Sequence, residues 1–443
     1  MKVSVSYWGI VRLALPISLA LMIPQLNFLT NNIFLGRLGE RELAVAGIVG
    51  IYYLVLSMIG AGLSNGLQIQ MARRAGEGDA EGLARIFSNG IMLVVGFSLT
   101  MMMLSLWVAP VIFSYGLNST EHTYLSVNYL YNRVWGLPFL LLAQLSNSFF
   151  IATGRSKYLV AGSATGTIMN IVFDYMLIFG HGGFAAMGLT GAAVASVIAE
   201  ASACLVMYSL YFFSGSYRKY AISLYPRFDL KLSRRSLKVS APLIVQYLFS
   251  IGGWMVFFFF VEHLGEKELA ASQILRSIFG LIGIGTWAFA ATCNTMVSNV
   301  IGQGKTEQVM PLIGKIAKLS VGYTAVMCVL LLVFAHPFLS LYRDDPALVT
   351  FAIPSLRVIV IATLIMAVST VMFNGVVGTG NTWTNLSIEV TCVCTYLVYC
   401  YVVIERMRLP LYWAWGSEFV YWTSLVVISY LYLRSGKWKG KRI

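Results

Sequence analysis

The sequence predicts an all-α polytopic membrane protein, with 12 transmembrane helices in two pseudo-symmetric six-helix bundles around a central cavity. Composition is the first reason, because 58 % of the 443 residues are hydrophobic, only 11 % are charged, and the mean hydropathy is +0.76. About a quarter of the residues of a soluble protein are charged, so a water-soluble enzyme is excluded. The other two reasons are a series of apolar segments and an internal repeat.

Twelve apolar segments are each long enough to cross a bilayer, which takes about 20 helical residues. Short polar connections separate them and leave no room for a large soluble domain. No small-residue cleavage site follows the first segment, so we expect it to be a retained helix. The predicted spans are 11–35, 43–71, 86–113, 125–152, 158–180, 188–213, 237–261, 269–299, 312–336, 348–377, 384–404 and 411–433.

The basic residues indicate the topology. The net charge is +13, but the lysines and arginines punctuate apolar runs and form no solvated patch, so nucleic acid is not an expected partner. Of these 31 residues, 22 lie at the termini or in connections on the same side, and 6 lie in the opposite connections, Arg343 among them. Cytoplasmic loops accumulate Lys and Arg. We therefore expect a multi-pass protein of the inner (plasma) membrane with both termini cytoplasmic.

The two halves of the chain repeat each other at an offset of 226 residues. The stretch LGERELA at 38–44 recurs as LGEKELA at 264–270. An unshifted register over more than 130 positions indicates a duplication. The other matching pairs are Pro16 with Pro242, Gly76 with Gly302, Gly78 with Gly304, Glu81 with Glu307, Thr153 with Thr379, and Gly154 with Gly380.

This duplication predicts the domain organisation. We expect an N-terminal six-helix half at 1–213, a cytoplasmic linker at 214–236, and a C-terminal six-helix half with a basic cytoplasmic tail at 237–443. Each half has an even number of spans, so equivalent helices cross the membrane in the same direction. Transporters built from such parallel repeats bind substrate near the bilayer midplane and rock the halves about it. A duplicated scaffold without cargo is the alternative.

Several repeated elements are specific enough to indicate a family. A proline opens the first and seventh spans, a G-x-L-G turn follows the first, a glycine-rich turn ends the second and eighth, and a T-G dipeptide ends the fourth and tenth. Together with GLSNGLQIQMARRAGEGD and FIATGRSKYLVAGSATGTIMNIVFDYMLIFG, these elements resemble the multidrug and toxic compound extrusion (MATE) family over almost the whole chain. A major-facilitator transporter, which also has twelve helices, would carry a different loop motif after its second span.

The resemblance implies a secondary active exporter that exchanges Na+ or H+ for amphipathic, often cationic, drugs or metabolites by alternating access. It implies no cofactor, and the family's transport unit is a single chain, so we expect a monomer in the lipid bilayer. The nucleotide motif G-x-x-x-x-G-K-[ST] is absent from the sequence, and no set of catalytic residues is concentrated at one membrane face, so an enzyme is not expected. A flippase of a lipid-linked glycan or other anionic amphiphile is the alternative.

Asp174 is the main candidate for ion coupling. Asn170 and Asp174 lie four residues apart in the fifth span, so they share one helix face. An ionisable group within a span is costly and usually functional, and its oxygens suit a proton or a small cation such as Na+. The resemblance implies that both residues, with Ser196 of the sixth span, form the cation or proton site of the N-terminal half. The alternative is that Asp174 only braces a helix end.

Departures from the family pattern leave the coupling mainly to Asp174. Where many members carry an aspartate in the first span, this sequence has Asn31, whose amide coordinates a cation but does not titrate. Gln25 is a further neutral candidate ligand in the same span. The acidic residues that many members carry in the seventh and tenth spans are replaced by Ser250 and Met366.

The remaining charges inside spans either pair with each other or line a substrate cavity. In a cavity the arginines would bind phosphate or carboxylate groups, and Glu389 would attract a cationic drug. Trp254 is a further candidate lining residue, since aromatic faces attract cations. The residues concerned are Glu200, Glu389, Glu418, Arg133, Arg276 and Arg357.

Pro24 is a candidate hinge in the first span. A proline within a helix leaves one backbone carbonyl without its donor and favours a kink. We expect rearrangement near Pro24 to accompany the change between inward-open and outward-open states.

Overall fold

The computed structural model describes residues 3–220, 228–335, 339 and 346–441. Within these ranges almost every residue is helical, and the predicted all-α polytopic class is confirmed. Arg343, which entered the charge count, and part of the predicted linker, at 221–227, lie outside the described residues.

The described ranges contain twelve long helical segments, in agreement with the sequence. One of these segments consists of two helices, α4 and α5, joined by a 3₁₀ turn at Val134–Gly136. Two further helices, α8 and α14, are short. The helices are α1 (Tyr7–Leu38), α2 (Glu40–Glu77), α3 (Ala80–Gly116), α4 (Thr120–Arg133), α5 (Leu137–Ala152), α6 (Lys157–Phe179), α7 (Gly188–Phe213), α8 (Ser216–Lys219), α9 (Leu230–Glu262), α10 (Glu266–Gly302), α11 (Val309–Val333), α12 (Pro346–Gly378), α13 (Thr382–Cys400), α14 (Leu411–Trp415) and α15 (Ser417–Ser435).

Ten of these segments in the described chain are long and apolar enough to cross a membrane by length and composition. The two long helices outside that set are α6 and α15. Each carries an acidic residue in its sequence, Asp174 in α6 and Glu418 in α15. An acidic residue alone does not set these two helices apart, because α7 and α13, which carry Glu200 and Glu389, belong to the ten.

The duplication is visible in the backbone. Gly78, which ends α2, has a φ of 81°, and its equivalent Gly304 has a φ of 76°. The two T-G turns agree in the same way, since φ is 72° at Gly154 and 86° at Gly380. These left-handed conformations are readily adopted by glycine, so the repeated glycines mark repeated helix ends.

Packing divides the chain into two compact units. The described part of 19–244 forms the first unit, and the described parts of 3–18 and 245–441 form the second. This division differs from the predicted domain boundaries, which follow the sequence repeat and stay a prediction.

Hydrogen bonds account for two features of this division. Residues 3–18, at the start of the chain, belong to the second unit, and the first part of α9, up to Ile244, belongs to the first unit. In the second unit the Val3 amide donates to Asn299 Oδ1 over 3.2 Å. In the first unit the Asp229 amide donates to Asn89 Oδ1 over 2.9 Å, and Ser240 Oγ donates to the Leu63 carbonyl oxygen over 3.1 Å.

The first unit has an apolar core to which α6 and α7 contribute side chains. Its buried side chains come from α1 to α4, α6 and α7, among them Val45, Leu130 and Ile178. Gly191 at the start of α7 lies so close to α6 that an added Cβ would come within 2.6 Å of the Leu177 carbonyl oxygen. This close approach brings the polar residues of α6 against those of α7.

Candidate functional site

The close packing of α6 and α7 brings together three of the residues predicted from sequence. Asn170 Nδ2 donates to Ser196 Oγ over 3.5 Å, and Asp174 lies one turn further along α6. Asn170 is 1 % exposed and Asp174 is 0 % exposed. Neither carboxylate oxygen of Asp174 has a hydrogen-bond partner. The arrangement offers a buried, unsatisfied acid beside an amide and a hydroxyl group, which is the setting that binding of a proton or a small cation requires.

Residues of α1 supply two more unsatisfied oxygens in the first unit. The Oδ1 atoms of Asn31 and Asn27 are both buried without a hydrogen-bond partner. The C-terminal end of α1 packs on α6, where the rings of Phe34 and Phe179 meet edge to face at 5.8 Å. Asn27 was missed by the sequence analysis, although its position four residues before Asn31 places both on one helix face.

Gln25 and Pro24 are exposed and do not join this group of buried residues. Helix α1 continues through Pro24 from Tyr7 to Leu38.

Arg133 is paired with Glu200 inside the first unit. Its two terminal nitrogens donate to the two carboxylate oxygens over 2.8 and 2.6 Å. Tyr53 completes the cluster, because its hydroxyl donates to Glu200 Oε2 over 2.9 Å and its ring lies 3.8 Å from the Arg133 guanidinium carbon. For the charges inside spans we expected either mutual pairing or the lining of a cavity. Arg133 is paired.

Tyr129 links that charge pair to the candidate coupling residues. The charges of Arg133, Asp174 and Glu200 all act on this buried tyrosine, and the charge of Arg133 also acts on Asp174. Asp174 nevertheless forms no hydrogen bond or ion pair with this group in the described part of the chain. Neither Tyr129 nor Tyr53 was singled out from sequence, because a tyrosine in a membrane span carries no distinctive signal by itself.

The second unit places its charged residues differently. Glu389 of α13 accepts hydrogen bonds from the hydroxyls of Ser250 in α9 and Tyr421 in α15, the latter over 2.9 Å. Glu418 accepts one from Trp422 Nε1 over 2.8 Å. Both acids are buried. The structure thus brings Glu389 to Ser250, the serine that replaces the acidic residue of the resembled family's seventh span.

The other two arginines are exposed, and no ion pair involving them is found in the described part of the chain. Arg276 lies over the Phe258 ring at 5.5 Å. Trp254 is half-buried against Phe258 and Phe279, with ring centroids 5.8 and 5.6 Å apart. Among the three arginines and three glutamates that were expected either to pair or to line a cavity, the described residues form one pair, Arg133 with Glu200.

Comparison with known proteins decides the family. The MatE family model matches residues 16–176 and 242–402, once in each half of the chain. The chain belongs to the MATE family. The resemblance stated from sequence is thereby confirmed, and the two matches begin at Pro16 and Pro242, the pair that first indicated the repeat.

Relatives and solved structures agree with this membership in the MATE family. The chain is 26 % identical to the probable multidrug resistance protein NorM of Synechocystis over 76 % of its length and 73 % of the relative. It is 21 % identical to the probable multidrug resistance protein NorM of Thermotoga maritima over 98 % of its own length and 93 % of the relative. The outward-facing structure of a multidrug resistance MATE transporter superposes with a TM-score of 0.89 at 18 % identity, covering 98 % and 96 % of the two chains, and shows the shared fold.

Proposed function

We propose that this MATE family protein is a secondary active exporter of the inner (plasma) membrane. It exchanges H+ or Na+ moving inward for amphipathic, often cationic, drugs or metabolites moving outward, by alternating access. The observation that carries the proposal is Asp174, a fully buried carboxyl group whose two oxygens have no hydrogen-bond partner. The names of the relatives, which are multidrug resistance proteins, support the substrate class.

Asp174 is suited to bind and release a cation once per cycle. A carboxylate in a membrane interior is stable when it holds a proton or pairs with a cation. The oxygens of Asn170, Asp174 and Ser196 make a hard-oxygen donor set that also suits Na+. Asn27 and Asn31 of α1 are candidate additional ligands, because their free Oδ1 atoms are buried in the same unit.

The geometry gives less support to a flippase of anionic amphiphiles. That alternative requires Arg133, Arg276 and Arg357 to share a cavity as free cations. Glu200 neutralises Arg133 through two hydrogen bonds, so this arginine is not free to bind a phosphate group.

The decisive experiment compares the wild type with Asp174→Asn in liposomes loaded with ethidium, a fluorescent organic cation. Imposed Na+ and pH gradients are applied separately. We expect the wild type to export ethidium under one of these gradients and Asp174→Asn to lose that response, because the amide neither binds a proton nor balances a cation.

Tyr175→Phe is the matched control, since Tyr175 is the next residue of α6 and its side chain is 46 % exposed. It should export ethidium like the wild type. Gradient-driven export that survives in Asp174→Asn would show that Asp174 is a structural residue. Absence of export from the wild type under both gradients would refute the exporter itself.

A further inference from the structure

The two buried acids of the second unit lack a positively charged partner. Glu389 is 0 % exposed and Glu418 is 1 % exposed. Among the described residues, no lysine or arginine forms an ion pair with either carboxyl group. The half-buried Glu200 of the first unit pairs with Arg133, so Glu389 and Glu418 resemble Asp174, which also forms no ion pair, more than they resemble Glu200.

Glu389 belongs to a ladder of polar side chains between α9 and α13. Gln246 and Ser250 lie one turn apart on α9, and Asn385 and Glu389 lie one turn apart on α13. Asn385 Nδ2 donates to Gln246 Oε1 over 3.5 Å, and Ser250 Oγ donates to Glu389 Oε1. Within α9, Gln246 Nε2 donates to Ser250 Oγ over 3.4 Å. All four side chains therefore face one another along two turns of helix.

Two acceptor oxygens on this ladder are left without a partner. They are Glu389 Oε2 and Asn385 Oδ1, and both residues are 0 % exposed. Glu389 Oε1, in contrast, accepts from two hydroxyl groups, those of Ser250 and Tyr421. A buried acceptor without a donor is costly, and an unpaired carboxylate in an apolar medium is far more costly. A proton on Oε2 removes the charge and turns that oxygen into a donor.

We propose that Glu389 is a second proton-binding site of the transport cycle, with the proton on Oε2. The inference rests on the proposed exporter function and deepens it. Glu389 takes up a proton from the outer side, holds it while the carboxyl group is buried, and releases it to water on the cytoplasmic side. After release, the hydroxyl groups of Ser250 and Tyr421 stabilise the carboxylate through its Oε1 atom.

The groups that face Glu389 leave its negative charge uncompensated. Its titratable neighbours are Cys392 on the same helix and Tyr421 on α15, and neither carries a positive charge. Glu418, also on α15, acts on Tyr421 and adds negative charge. On α12 and α10, Arg357 and Arg276 are exposed.

A second proton site has a thermodynamic consequence. If both Asp174 and Glu389 carry a proton, each cycle moves one proton more than Asp174 alone can account for. Each coupled proton multiplies the attainable substrate gradient by about ten for a pH difference of one unit. Glu389→Gln should therefore keep transport while lowering its stoichiometry.

The test uses the full chain in proteoliposomes, with ethidium as the substrate, a pH difference of one unit and the membrane potential clamped at zero. Protons and ethidium are counted in the same sample with a pH-sensitive dye and ethidium fluorescence. Glu389→Gln should move one proton fewer per ethidium than the wild type, and its steady-state ethidium gradient should be about tenfold smaller. Ser387→Ala, an exposed position on the same helix, is the matched control and should match the wild type.

The failures of the two proposals are distinguishable. A wild type without gradient-driven transport refutes the exporter. A Glu389→Gln protein that transports with unchanged proton stoichiometry refutes the second site alone. Weaker ethidium binding with unchanged stoichiometry would make Glu389 a substrate ligand instead, and a Glu389-dependent response to Na+ but not to pH would replace the proton by Na+.

Should Glu389→Gln fail to fold, the variant Ser250→Ala, Tyr421→Phe tests the site with the acid retained. It removes both hydroxyl donors to Oε1 and so destabilises the carboxylate relative to the acid. We expect the midpoint of the pH dependence of transport to move upward by about one unit. A midpoint equal to that of the wild type would refute the proposal.

Discussion

At Gly136 the Glu200 carboxylate and the Arg133 guanidinium occupy the space that a larger side chain would need. This glycine lies in the 3₁₀ turn between α4 and α5, so the irregular turn and the half-buried ion pair fit each other. Glu389 has hydroxyl donors but no cation in the described part of the chain. An acid that is hydrogen-bonded to its own cation stays charged, whereas a buried acid without a cation is suited to carry a proton.

The Arg133–Glu200 pair can be tested through stability. Glu200→Gln leaves the Arg133 guanidinium, whose side chain is 15 % exposed, without a counter-charge. The cost of breaking such a half-buried pair lies between about 1 kcal/mol, for an exposed pair, and about 3 kcal/mol, for a fully buried one. We expect thermal unfolding of the purified protein at a clearly lower temperature than that of the wild type. The double variant Arg133→Met, Glu200→Leu removes both charges and should recover most of the loss. Equal unfolding temperatures for the wild type and Glu200→Gln would mean that the pair contributes little.

Helix α1 combines an exposed apolar surface with a narrow polar stripe. Leu26 and Phe28 are more than half exposed, while the amide oxygens of Asn27 and Asn31 are buried without partners. Between Tyr7 and Leu38 the helix also contains Pro24, which has no amide hydrogen to donate. An element with unsatisfied polar groups and a missing backbone hydrogen bond is suited to rearrange when a cation binds beside it.

Pro24→Ala tests the hinge in α1. The substitution restores an amide donor and should straighten and stiffen the helix. We expect a transport rate about tenfold lower, because conformational steps often limit turnover, together with a narrower distance distribution between spin labels on α1 and α6. Leu26→Ala, two residues away and also exposed, is the control. An unchanged rate and an unchanged distribution would refute the hinge.

Over the whole molecule, the duplication is visible in the hydrogen bonds that hold the backbone just before α1 and just before α9. Val3 and Asp229 differ by the repeat offset of 226 residues, and each donates its backbone amide to an asparagine side chain within its own unit. The asparagines, Asn299 and Asn89, are not themselves equivalent in the repeat. The two halves therefore kept the same manner of anchoring a helix start while its polar partner changed.

The topology that we propose for the whole chain predicts where its ends lie. Alkaline phosphatase fused after Lys441 should be inactive, since this enzyme needs an oxidising compartment for its disulfides and the basic tail favours the cytoplasm. Fusion after Gly183, between α6 and α7, should give an active enzyme. The reverse pattern would invert the proposed orientation.

The sequence by itself determined the class, the number of spans and the duplication. A bilayer requires about 20 apolar residues for each helix, and an unshifted repeat leaves identical motifs at a constant offset, so both features can be recognised without coordinates. Asn170, Asp174 and Ser196 were also predictable as a group, since the first two share a helix face and the third comes from the family pattern.

Only the tertiary structure decided which buried charges have partners. Arg133 meets Glu200 across 67 positions of the chain, and Ser250 meets Glu389 across 139. Such contacts depend on the rotation and depth of packed helices, which apolar segments of similar composition do not specify. For this reason three arginines and three glutamates that looked equivalent in the sequence became one ion pair, two exposed arginines and two buried acids without a cation.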